Sequence, residues 1–160
     1  MIREVQGDIL LSKADAIAHG IGIDDDFKQG LALSLRERWP SLYKDFRHFC
    51  HTKSPREGDV WTWRGPGSAA IVNLFTQSAP RRTGDHPGPA NLAAVGHSLK
   101  HLAQEVKTNG YKSVALTRLA TGVGGLKWEE VKPLVDQHLG QLNIPVFVYT
   151  TYVKDKAGEA

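Results

Sequence analysis

The sequence predicts an α/β domain built on an internal, mostly parallel sheet. Three observations carry this reading. Short β-branched apolar segments recur along the chain, amphipathic helical stretches separate most of them, and glycine-rich loops stand where strand gives way to helix. The 160 residues suit one domain, read as residues 1–153 followed by a short frayed tail at 154–160.

The candidate strands are residues 14–18, 59–63, 69–75, 113–116 and 145–149, with a further short one at 2–5. Helical periodicity is best over 90–106, where Leu92, Val95, Leu99, Leu102 and Val106 fall three or four apart and Gly110 supplies a stop. Residues 31–38 form a second helix ended by Pro40, and 42–49 a third. A fourth covers Trp128–Leu139, with Glu129 and Glu130 in its first turn and His138 in its last, the charge order that suits the helix dipole. Pro133 argues for a kink there. Residues 78–89, with three prolines and two glycines around Arg81 and Arg82, can be neither regular helix nor central strand and read as a loop.

Composition narrows the function classes. A formal charge of +3 helps to attract an anionic ligand but is too small to specify a polynucleotide-binding protein. The single cysteine, Cys50, permits no internal disulfide, and no charged-then-apolar leader or membrane-length apolar run is present. A reducing cytoplasm is the expected compartment.

In a sheet of this kind ligands bind beyond the carboxyl ends of the strands. One loop there, residues 20–30, carries Gly20, Gly22 and Gly30 around Asp24, Asp25 and Asp26. It reads as an ordinary strand-to-helix turn or, through Gly30, as a helix start open to an anion. Three neighbouring carboxylates oppose a phosphate unless they point elsewhere. A second loop, residues 121–126, places three glycines in four positions and offers bare N–H groups to a diphosphate. It lacks both the P-loop lysine and the Rossmann spacing. Asp8, after Gly7, is an acceptor for an amino group or a turn or helix cap.

Together the stretches Gly7-Asp8-Ile9-Leu10, Ala14 through Gly20, Gly30-Leu31-Ala32-Leu33, Val72-Asn73-Leu74-Phe75-Thr76 and Gly122 through Trp128 resemble the macrodomain family in order and spacing. The Ala-His-Gly and Gly-Gly-Leu-x-Trp runs are similar to one subclass, the terminal ADP-ribose glycohydrolases and the antitoxin macrodomains that remove ADP-ribose from DNA. The resemblance implies a three-layer α/β/α fold with a central mixed, mostly parallel sheet and a cleft for ADP-ribose, free or attached to a macromolecule. It implies no cofactor or metal, no membrane partner, and nucleic acid only as a modified target.

By the same resemblance, Asp8 takes the adenine amino group and Ile9 makes a backbone contact beside it. Thr121, Gly122, Val123, Gly124, Gly125 and Leu126 wrap the diphosphate from one side, and Gly30, Leu31 and Ala32 from the other. His19, Gly20 and Ile21 are further ligand-binding residues. Phe75, Thr76 and Gln77 lie by the distal ribose, and Tyr152 borders the adenine.

The departures concern catalysis. Hydrolytic members of the subclass carry a lysine where this chain has Gln77, and some carry an aspartate where it has Gly124. Gly22 stands in place of an asparagine, and Asp25 and Lys28 in places held by glycine. A glutamine hydrogen-bonds but supplies neither an amine nucleophile nor a titrating group. His19, Asp24, Asp25 and Asp26 are the remaining acid–base candidates, and the catalytic residues stay unassigned. The resemblance therefore implies ADP-ribose binding with hydrolysis of ADP-ribosyl linkages, or a non-catalytic reader of the same group.

Other clusters have bland readings. His48, Cys50 and His51 lack the second ligand pair a zinc site needs. Trp61 and Trp63 alternate as strand residues packed on a helix, and Trp128 anchors the second glycine loop. Arg81, Arg82 and His86 form a surface patch that steers a polyanion or solvates its loop.

Overall fold

A computed structural model of the chain describes residues 1–82, 85 and 87–159. Gly84 and His86 of the proline-rich loop and Ala160 of the tail lie outside the described residues. The elements run β1 (Ile2–Gly7), a 3-10 turn (Ile9–Leu11), β2 (Ala16–Gly22), α1 (Gly30–Arg38), α2 (Pro40–Lys53), β3 (Val60–Trp63) and β4 (Ala70–Gln77). They continue with α3 (Leu92–Asn109), β5 (Val114–Thr117), α4 (Trp128–Leu139) and β6 (Val146–Tyr152).

The sheet order is β1-β6-β5-β2-β4-β3. Neighbouring strands are parallel except β3, which closes the β4 edge antiparallel. The expected mixed, mostly parallel sheet and the three layers are both present. Side chains alternate across a strand, and both sheet faces here are apolar. Ala16, Ala18, Val72, Leu74 and Leu116 face one core with residues of α3 and α4. Ile17, Ile21, Ile71, Phe75 and Ala115 face the other with residues of α1 and α2. A sheet covered on both faces reads as continuous apolar runs, as these strands do.

Two prolines behave differently from expectation. Pro40 does not merely end α1; it is the first residue of α2, a position whose N–H goes unpaired in any helix. Pro133 lies inside α4, which continues through it to Leu139 because Val131, Val135 and Leu139 bury on the core. The last residues lie against β1. The Asp8 N–H donates to the Lys156 carbonyl at 2.6 Å, and the Gly158 N–H to the Tyr149 hydroxyl at 3.2 Å. Such close approach needs glycine at position 7, where a Cβ would stand 2.5 Å from the Lys156 oxygen.

Candidate functional site

β1, β2, β4, β5 and β6 all end at one edge, and two cavities open there. The first, about 310 Å³, is walled by the end of β2, the start of α1, Gln77, the residues after β5 and the second glycine loop. The second, about 380 Å³, lies between the 3-10 turn, α1 and the ends of β5 and β6. Both are walled in part by Gly30, Leu31 and Thr117, so they adjoin across the start of α1. Each falls within the size range of small-molecule sites.

The second cavity gathers Asp8, Ile9, Leu31, Tyr149 and Tyr152. Asp8 caps the 3-10 turn: its Oδ1 accepts the Leu10 N–H at 3.0 Å. The cap and acceptor readings are thus compatible, since a carboxylate has lone pairs to spare for a ligand donor. At the shared wall α1 begins after Gln29, whose side chain makes no cap. Among the described residues no side chain accepts from the first-turn N–H groups of α1, an arrangement that favours an anion.

In the first cavity the three aspartates part company. Asp24 is exposed, with φ at 58°. Asp25 is buried and turned inward, its Oδ2 accepting the Gly22 N–H at 3.2 Å and its Oδ1 the Phe27 N–H at 2.9 Å. Asp26 borders the cavity while its Oδ1 accepts the Lys28 N–H. These bonds hold a turn in which Phe27, at φ 53°, is driven fully inside against His19, Tyr43 and Phe46.

His19 is 2% exposed and pairs in register with Asn73 of β4. The Asn73 amide nitrogen donates to the carbonyls of Trp61 and Ile71, so its oxygen faces His19 Nε2 at 2.6 Å and accepts from it. The Nε2 therefore carries the ring proton. Burial lowers the His19 pKa from 6.5 to about 4 against the opposing pull of the Asn73 bond, which keeps the ring neutral and Nδ1 an acceptor. Gln77 is also fixed: its Nε2 donates to the Gly88 carbonyl at 3.1 Å. Pro87, buried, folds over Gly22 and forms part of the same wall.

The second glycine loop closes on itself through Gly125 N–H to Gly122 O and Leu126 N–H to Ala120 O. Gly124 is packed in: a Cβ there would stand 2.6 Å from the Ala120 oxygen and 2.9 Å from the Ala90 Cβ. At Gly122 a Cβ would meet nothing within 4 Å.

Of the residues expected at the site, His19, Gly20, Ala32, Gln77, Gly122, Val123 and Gly124 line the first cavity. Asp8, Ile9 and Tyr152 line the second, and Gly30 and Leu31 line both. Ile21, Phe75 and Thr76 are fully buried beneath the site. Thr121 turns its hydroxyl back to the Arg118 carbonyl, Gly125 is exposed and Leu126 packs on the α3–α4 core. Sequence reasoning missed Thr117, Arg118 and Pro87. The rule that ligands gather at carboxyl ends of strands applies to Thr117 and Arg118 as much as to the glycines after them. Nothing local announces Pro87.

Cys50 lies in the α1–α2 core, while His48 and His51 of the same helix are exposed. Among the described residues no three metal-ligating side chains cluster. Burial, with smaller contributions from Asp24 and Asp25, pushes the Cys50 thiol up to about 11. Native protein at pH 8 is therefore expected to resist iodoacetamide and to be alkylated promptly in guanidinium; equal rates in both conditions would contradict this burial.

No family model matches the chain. Among curated proteins it is 27% identical over 161 residues to the DNA ADP-ribosyl glycohydrolase of Thermus aquaticus, covering 98% of this chain and 43% of that protein. It is 24% identical over 150 residues to the human ADP-ribose glycohydrolase OARD1, covering 93% of this chain and 91% of that protein. The chain thus spans less than half of its bacterial relative. The solved macrodomain of Thermus aquaticus DarG superposes with a TM-score of 0.81 at 27% identity, over 93% of this chain and 97% of that one. The fold is that of a macrodomain. Within that class the chain is similar to the terminal ADP-ribose glycohydrolases and the DNA ADP-ribosyl glycohydrolases.

Proposed function

We propose that residues 1–153 bind ADP-ribose across the two cavities and release ADP-ribosyl groups from a nucleic acid or protein acceptor. One observation carries the reading. Two adjoining cavities meet at the uncapped start of α1, with a carboxylate at the far end of one and a glycine loop along the other. Adenine against Asp8 and Tyr152, diphosphate between α1 and Gly122, and distal ribose above His19 and Gln77 follow that layout. The names of the relatives, glycohydrolases of ADP-ribose or of ADP-ribosylated DNA, support the hydrolytic half.

A second reading, a reader without hydrolysis, is favoured by Gln77, whose amide is tied to Gly88 and supplies no amine. Among the described residues no helix is long and apolar enough to cross a membrane. A reducing cytoplasmic setting belongs to the same proposal, supported by a single cysteine that is buried.

Calorimetric titration with ADP-ribose beside ADP, AMP and NAD tests binding, with saturable binding selective for ADP-ribose expected. Release assays on ADP-ribosylated DNA and protein then separate hydrolase from reader. Absence of heat with all four ligands would end both readings. The adenine role has its own test in Asp8→Asn, which keeps an acceptor for the Leu10 N–H but turns an amide NH2 to the ligand. It should weaken ADP-ribose by about 1–3 kcal/mol and weaken the hypoxanthine analogue, whose 6-carbonyl oxygen accepts where adenine's amino group donates, far less. An equal loss for both would place the base elsewhere.

A further inference from the structure

A groove of about 780 Å³ runs between α1 and α2, outside both cavities. Its walls carry Arg36 of α1 and Lys44, Arg47, His48 and His51 of α2, with Glu37 as the one carboxylate. Lys44, Arg47, His48 and His51 are exposed. Among the described residues none of the three cations of the groove forms an ion pair. The chain's formal charge is only +3, so a groove with two cations in excess holds much of its positive field.

Two of the three cations are positioned by the Tyr43 ring. Arg36 lies over the Tyr43 ring at 3.9 Å, and its Nη1 donates to the Asp26 carbonyl at 2.9 Å. Arg47 approaches the same ring at 5.9 Å. Lys44, Arg47 or His48, and His51 follow at three- and four-residue intervals along one face of α2, about 5–6 Å apart. A ladder of donors at that spacing suits a repeating anion. Tyr43 is already covered by Arg36 and flanked by Phe27 at 5.6 Å, so no base stacks on it. Contacts would go to the backbone and carry no sequence preference.

The row begins beside the cleft. Asp26, which accepts from Arg36, also walls the first cavity. We propose that this groove binds the phosphate backbone of a nucleic acid strand and guides the strand along α2 toward or away from the cleft. The proposal rests on the ADP-ribosyl reading of the cleft and assigns its acceptor to nucleic acid. An acidic peptide shares the charge but not the regular spacing of phosphates.

The test is fluorescence anisotropy of the full chain with a fluorescein-labelled, unmodified 12-nucleotide single-stranded DNA. Neutralising three phosphates predicts a slope of log affinity against log salt near −2, about a sixteen-fold loss between 50 and 200 mM salt. The double substitution Lys44→Glu with Arg47→Glu, at exposed positions, should lower affinity at least tenfold and flatten the slope. Its calorimetric affinity for ADP-ribose should stay unchanged. Salt-independent or absent binding overturns the proposal, as does an unaltered double variant or equal competition by a polyglutamate peptide. A protein that binds the oligonucleotide but never ADP-ribose would refute the reading of the cleft while keeping the groove.

Discussion

Gly122→Glu is expected to abolish ADP-ribose binding in a protein that still folds. The two inner glycines of the second loop look alike in sequence, yet they differ in what a side chain would meet. At Gly124 a Cβ runs into the Ala120 carbonyl and the Ala90 side chain, so a glutamate there disrupts the loop and the segment packed on it. At Gly122 the space is open, φ is not in the left-handed region, and the residue borders the first cavity. A glutamate can stand there without moving the backbone and place its carboxylate where the diphosphate is proposed to lie. At roughly 5 Å and an effective dielectric near 20, one such charge pair costs about 3 kcal/mol, more than a hundredfold in affinity. The melting temperature should stay within a few degrees of the parent protein. Undiminished affinity would show that the diphosphate does not pass this loop. A large fall in melting temperature would contradict the open space at Gly122.

That contrast marks where the sequence stops being legible. The architecture could be read because each central strand is apolar on both faces and each helix is punctuated. Ala16 and Ala18 turn one way and Ile17 and Ile21 the other, while Gly110 stops α3. The location of the cleft followed, since a parallel sheet offers one edge where strand ends meet helix starts. What could not be read depends on contacts between distant segments. Asp24, Asp25 and Asp26 are chemically identical in a string. Only the burial of Phe27 decides that Asp25 points inward as a turn acceptor while Asp24 faces water. Pro87 is one proline among several until its loop folds back over Gly22. The cation row needs Arg36 of α1 to meet Tyr43 of α2, a pairing set by tertiary packing alone.

His19 gives the second large effect, and it is read as stability. A free histidine titrates near 6.5, whereas in the folded protein burial holds His19 to about 4. Between those values the unfolded chain takes up a proton that the folded chain refuses, so the folded state loses ground as pH falls from 6.5 to 4. Above pH 6.5 neither state is charged there and nothing is lost. Over the whole window the shift corresponds to about 3 kcal/mol, a sizeable fraction of an ordinary domain's stability. Replacing His19 with Gln removes the titration while leaving an amide N–H to offer Asn73. Urea unfolding at pH 7.0 and at pH 4.5 should show the parent losing markedly more stability than the variant. Whatever the two proteins share cancels in that difference. If parent and variant fell by the same amount, His19 would not be the buried neutral ring that its bond to Asn73 requires.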